Sequence, residues 1–214
     1  LTIQVLQRAI ARLIPPRRLA RLDLDRVPES ARTMVIVPTI LDSVEGVRAL
    51  LAHIEVQALG NLDPFVHFAI LSDFRDAQSE TMPRDAEILA AARAGVEALN
   101  SAHGQGRSDR FFLFHRLRQW NAREGLWMGW ERKRGKLEEF NRWLLGDANT
   151  SYAVKEGDLA VIAAPHPIVP IRFVITLDAD TQLPYGAARR MIGTLAHPLN
   201  RPRLAASGGR IERG

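Results

Sequence analysis

Asp178 and Asp180 stand two positions apart at the end of the apolar run FVITL. In an extended backbone, residues i and i+2 point to the same side, so both carboxylates can face one hard cation. Mg²⁺ or Mn²⁺ held by one or two carboxylates and by phosphate oxygens anchors a diphosphate and neutralises the charge that develops as it departs. Asp-x-Asp is also common in caps and turns, and the strand-like run before it is what favours the metal and phosphate reading. A competing reading is a phosphatase with an aspartate nucleophile, a general acid two residues on and a threonine four residues on. Here Thr181 comes one position early, Gln182 holds the fourth position, and only 34 residues follow Asp180, too few for the remaining motifs of such an enzyme.

Other polar residues follow apolar runs in the same way: Pro38-Thr39, and Ser72-Asp73 with Asp76. Asp73 suits a base or ribose as a hydrogen-bond acceptor, and an Asx-turn would use it equally well. The stretch RQWNAREGLWMGWERKRGKLEEFNRWL holds all four tryptophans, interleaved with Arg and Lys. Such a stretch can stack sugars or bases and hold phosphate through Lys136. Part of it is packing, because Leu137, Phe140, Leu144 and Trp143 share a helical face. The six histidines show no paired zinc-ligand spacing and read as structural or solvent-facing. The chain has no Gly-Lys-Ser/Thr phosphate loop and no Gly-x-Ser-x-Gly elbow, which removes those two chemistries. The absence of cysteine removes disulfides, thiolate metal sites and cysteine catalysis.

The elements that must position these residues alternate. TMVIVPTI (Thr33 to Ile40) reads as a buried strand, and Asp42 with Glu45 as a capping box opening a helix whose Val47, Leu50, Leu51 and Ile54 share a face. Phe65 to Leu71 reads as a second strand, with a polar loop and an alanine-rich helix from Asp85 to Ala102 after it. Arg110 to His115 reads as a third strand, followed by a long aromatic and basic loop and a helix near Gly135 to Leu145. Beyond a stretch punctuated by Pro165, Pro167 and Pro170 come the strand IRFVITL, the string DADTQLP and a helix from Pro184 to Ala196; Gly208-Gly209 reads as a turn. Strands alternating with helices imply an α/β fold with a mostly parallel sheet flanked by helices. Ligands of such sheets sit beyond the carboxyl ends of the strands, where the polar residues above converge.

The chain has 214 residues with 46% hydrophobic and 25% charged content, which excludes intrinsic disorder. No apolar run approaches the ~18 residues that cross a bilayer. A chain running from Leu1 to Gly214 without a start methionine or an ending signal reads as a segment of something longer. Its net charge is +5, and residues 1–32 carry seven arginines against three acids, so +4 of that charge lies there. A nucleic-acid footprint over the whole domain is therefore not expected. Leu1, Val5, Leu6, Ile10, Leu13 and Ile14 recur at helical spacing up to Pro15-Pro16, giving residues 1–31 the character of a basic amphipathic arm beside a membrane. A solvated helix face accounts for the same pattern equally well. A non-catalytic module docking on anionic lipid or RNA through Arg17, Arg18 and Arg21 is the contrasting reading.

The strings RFFLFHRLRQWN, GLWMGWERKRGKLEEFNRWL, FVITLDADTQLP and GTLAHPLNRP, with TMVIVPTIL, resemble the glycosyltransferase domain of bacterial cyclic β-1,2-glucan synthases over roughly Arg32 to Gly214. The resemblance implies a GT-A-type, Rossmann-like nucleotide-sugar fold over 32–214, incomplete at its C-terminus, on the cytoplasmic face of the inner membrane as a soluble segment of a larger membrane protein. It implies UDP-glucose as donor, Mn²⁺ or Mg²⁺ as cofactor, and a growing β-1,2-glucan chain as acceptor, later closed into a ring. Asp178 and Asp180 would hold the metal, Asp73 would contact the uridine, Lys136 would lie near the diphosphate or glucose, and Pro38 and Thr39 would line the donor site. In Lys136's motif Phe140 stands where processive polysaccharide synthases tend to have leucine. Transfer with inversion needs one general base. After Asp180 the sequence has only Glu212 as a carboxylate, so the base is expected beyond Gly214 and the fragment is expected to bind donor without turnover. A synthase for another β-linked polysaccharide is the alternative within the same fold.

Overall fold

The computed structural model describes residues 2–14, 19–163, 170–201, 203–204 and 211–213. Pro15-Pro16, Arg17, Arg18, Pro165, His166, Pro167 and the Gly208-Gly209 turn lie outside the described residues, as does the side chain of Glu212. The chain forms two compact units, one of Leu24–Ile192 and one of Leu1–Asp23 with Gly193–Gly214. The smaller unit opens with helix α1 (Thr2–Leu13), whose apolar Ile3, Leu6, Ile10 and Leu13 are exposed along one face.

The larger unit is built on a five-stranded sheet. Its strands are β1 (Thr33–Leu41), β2 (Val66–Phe74), β3 (Phe111–Arg116), β6 (Tyr152–Glu156) and β7 (Phe173–Thr176), in the spatial order β6-β3-β2-β1-β7. All pairings are parallel except β3 with β6. A short hairpin, β4 (Gln119–Asn121) and β5 (Leu126–Met128), stands apart from this sheet. Both sheet faces are covered, which is why the strands read as unbroken apolar runs. Val35, Val37, Phe68, Ile70 and Leu113 pack with α2 (Val44–Leu59), α3 (Asp85–His103) and the Ala188 and Ile192 side chains of α5 (Ala187–Ala196). Met34, Ile36, Leu71, Phe112 and Phe114 pack on the other face with α4 (Arg132–Leu144). There Phe114 meets Phe140, Trp143 and Tyr152 edge-on at 5.0, 4.9 and 5.6 Å, so the helical face expected to pack does so. The smaller unit ends in a two-stranded ladder of β8 (Arg203–Leu204) and β9 (Ile211–Arg213).

Five local expectations are corrected. Ser43, not Asp42, caps α2: its hydroxyl accepts from the Gly46 amide at 3.0 Å, because β1 stays paired with β2 through Leu41 and leaves Asp42 as the exit residue. β2 runs on through Asp73 to Phe74 rather than ending at Leu71, since β1 and β3 pair with it on both sides. The stretch after α4 contains the antiparallel strand β6, and the aromatic loop contains the β4–β5 hairpin. Finally, β7 ends at Thr176, and Asp178 to Asp180 lie in a turn closed by the Thr181 amide on the Asp178 carbonyl at 2.9 Å. The extended backbone assumed for the Asp178/Asp180 pair is absent, because β7 is held by β1 only across Thr33–Ile36.

Candidate functional site

β1 and β2 deliver their polar residues to the carboxyl edge of the sheet, where a cavity of about 430 Å³ opens. Pro38, Thr39, Asp73, Asp76, Lys136 and Ala179 are among its lining residues. Four residues expected at the donor site, Pro38, Thr39, Asp73 and Lys136, therefore meet at one place. Asp178 and Asp180 flank Ala179 and are exposed. Asp178 is ion-paired with Lys133, another lining residue.

Beneath the cavity lies a buried charge network. The Arg116 guanidinium, fully buried, forks onto Asp73 at 2.7 and 3.0 Å. It also donates to Glu139 at 2.9 Å and to the carbonyls of Trp130 and Arg132, each at 3.1 Å. All five of its N–H donors are used. The second Glu139 oxygen accepts from the amide and hydroxyl of Ser151 at 2.6 and 2.7 Å. Lys136 pairs with Asp73 at 2.9 Å, donates to the Thr39 carbonyl, and its own carbonyl accepts from the Tyr152 hydroxyl at 2.6 Å. Two buried carboxylates thus face two buried cations, the condition under which burying charge is tolerable. Burial lowers the Lys136 pKa against the opposing pull of Asp73. Burial also disfavours the charged Arg116, but Asp73 and Glu139 outweigh it and hold its pKa above the ordinary value.

The backbone over this network is specified closely. A Cβ at Gly129 would sit 2.6 Å from the Asp73 carboxyl carbon and 2.9 Å from an Arg116 nitrogen, so only glycine fits. Glu131 and Arg132 adopt left-handed φ values of 50° and 45°, and Arg116 pins the carbonyls of Trp130 and Arg132 on either side. Arg132 then extends its side chain to Asp76 at 2.9 Å and Glu124 at 2.6 Å.

The sequence alone does not single out Arg116 or Glu139. Opposite charges inside or beside apolar strands were the available signal. Asp73 is not a free loop acid: three of its hydrogen bonds go to Arg116 and Lys136, and its accessible role is at the cavity floor. Among the described residues, no group of three or more His, Cys, Asp or Glu side chains is disposed to hold a metal ion. The two exposed carboxylates still fit Mg²⁺ or Mn²⁺ by their chemistry, since these ions take one or two carboxylates and complete their shell with water and phosphate oxygens.

No protein-family model matches the chain. Over 184 residues it is 41% identical to cyclic beta-(1,2)-glucan synthase NdvB of Rhizobium meliloti (strain 1021), an alignment covering 84% of this chain. The chain spans about 6% of the length of that protein. Identity at this level over most of the sequence makes the chain a relative of one segment of a cyclic β-(1,2)-glucan synthase.

Proposed function

We propose that this chain is the donor-binding part of an inverting glucosyltransferase that uses UDP-glucose to build β-1,2-linked glucan. The observation that carries the reading is the convergence of Pro38, Thr39, Asp73 and Lys136 on one cavity bordered by Asp178-Ala179-Asp180. Its position at the carboxyl ends of parallel strands is where a nucleotide-sugar fold of the GT-A type takes its donor. Asp73 serves the uridine from the cavity floor, and Lys136, lining the same cavity, faces the diphosphate or glucose. Asp178 and Asp180 would hold Mn²⁺ or Mg²⁺, whose charge would neutralise the departing UDP. An acceptor hydroxyl of the growing glucan attacks C1 of glucose, its proton goes to a general base outside this chain, and UDP leaves from the opposite face. The isolated chain is therefore a donor binder without turnover.

No described helix is long and apolar enough to cross a membrane. The basic arm and the exposed apolar residues of α1 support our reading of this segment as part of a larger protein at the cytoplasmic face of the inner membrane. Calorimetry with UDP and UDP-glucose, with and without Mn²⁺, tests the donor site. Metal-dependent affinity of ~1 µM to ~1 mM, about −8 to −4 kcal/mol, is expected for the chain and is lost in Asp178→Ala/Asp180→Ala. A folded chain indifferent to UDP would sink the reading, and salt-sensitive binding to anionic vesicles or RNA alone would favour the non-catalytic module.

A further inference from the structure

Beside the donor cavity lies a second one of about 540 Å³, between the β4–β5 hairpin and the turn at Trp130 to Arg132. We infer that it is a carbohydrate subsite holding the neutral acceptor glucan next to the donor, an inference that rests on the transferase reading above.

The four tryptophans divide by role. Trp143 packs in the core against Phe114, and Trp127 is fixed by reciprocal backbone hydrogen bonds with Ala77, both at 2.9 Å. Trp120 and Trp130 instead line this cavity with 54% and 41% of their surface exposed. An indole face presented to water at a cavity, with amides such as Gln119 beside it, matches the two sides of a glucose ring: an apolar C–H face to stack and hydroxyls to hydrogen-bond. The platform is held in place before any ligand arrives. Trp120 lies against its cross-strand partner Trp127 with ring centroids 5.9 Å apart, and Asn121 accepts from the Arg123 amide at 3.0 Å within the hairpin turn.

Charge selects the class of ligand. Arg123 and Arg132 are balanced in the lining by Glu124 and Glu131. Arg132 is already paired with Glu124, and Glu131 with Arg134 at 3.3 Å. With two bases and two acids in its lining and Arg132 already ion-paired, the cavity carries no net charge, which suits an uncharged polyol better than a polyanion. Location supplies the last step: Arg132 lines both cavities and spans them through Asp76 on the donor side and Glu124 on the hairpin side. A chain seated on the tryptophans ends beside the donor sugar.

The test titrates the chain with a linear β-1,2-linked glucose oligosaccharide and follows the indole N–H resonances, with UDP titrated separately. The Trp120 and Trp130 signals are expected to move while that of Trp143 stays in place. Trp120→Ala and Trp130→Ala should each weaken oligosaccharide affinity tenfold or more with UDP affinity unchanged, and Trp120→Phe, which keeps a stacking face, should restore most of it. The inference is overturned if a chain that binds UDP ignores the oligosaccharide. Binding that is indifferent to both alanine substitutions, or a preference for a single-stranded oligonucleotide at these indoles, overturns it equally. Loss of both UDP and oligosaccharide binding would bring down the donor reading along with it.

Discussion

Arg116 shows how a single residue joins stability to the site. Its five donors reach two carboxylates and two carbonyls, so it neutralises Asp73 under the cavity and simultaneously holds the left-handed turn that carries Arg132. Replacing it by Met leaves Asp73 and Glu139 buried with Lys136 as the nearest cation, and removal of one partner of such a network costs about 3–5 kcal/mol. Arg116→Lys keeps the charge but lacks the fork, and about 2–3 kcal/mol is expected from the hydrogen bonds to charged groups it forfeits. Urea unfolding of the two variants checks both the size and the order; equal midpoints for wild type and Met variant would show the network to be energetically idle. At this scale the sequence was readable for acids at the ends of apolar runs and opaque for charges whose role is set by a partner on another element. Asp73 and Asp178 could be picked out because polar groups after apolar runs fall at a sheet edge, whereas Lys136 stood out through the tryptophan-rich basic stretch and the family resemblance. Arg116 sits directly after FFLFH and is indistinguishable from the loop arginines that follow until its partner across β2 is known.

Among the elements, β2 and β3 each bury an imidazole, His67 and His115, with pKa values lowered to about 4 chiefly by burial. His67 keeps a bond to the Asp109 carbonyl at its Nδ1, and His115 meets the Ser72 hydroxyl at 2.9 Å. Both are neutral in the folded chain, while unfolding returns them to about 6.5. Between those values the unfolded chain binds more protons than the folded one, so stability is flat above about pH 7 and falls as pH drops from 6.5 towards 4. The loss approaches roughly 3 kcal/mol per histidine at the acid end of that window. Urea unfolding at pH 7 and at pH 4.5 measures it, and His115→Gln should remove about half of the slope; an unchanged midpoint between the two pH values would contradict the buried neutral state. The strands that carry these residues were legible, because a sheet covered on both faces writes long apolar runs. β6 was not: YAVKE sits at an edge, pairs only with β3, and is half-exposed, so neither an apolar run nor a clean alternation marks it. The hairpin strands are three residues each, too short for periodicity. The exact end of β7 was equally hidden, because pairing with β1 rather than its own composition decides where it stops.

For the whole molecule, a ligand that joins strand ends to loop residues should appear as added stability of the fold. Donor binding in the proposed site engages Asp73 on β2, Lys136 on α4 and the Asp178–Asp180 turn after β7, so it ties together elements far apart in the chain. A ligand bound only by the folded state adds about 2.7 kcal/mol at a hundred times its Kd. For a chain of this size each kcal/mol raises Tm by about 2–4 °C, so UDP-glucose with Mn²⁺ at that level should raise the melting midpoint by about 5–10 °C. Chelating the metal should abolish most of the rise, and Asp178→Ala/Asp180→Ala should melt alike with and without the pair of ligands. A rise that survives both chelation and the double substitution would assign the nucleotide to the Asp73–Lys136 floor alone and remove the metal from Asp178 and Asp180. No rise at a concentration where calorimetry records binding would mean that the ligand engages the unfolded chain equally well, which a cavity assembled from three separate elements cannot do.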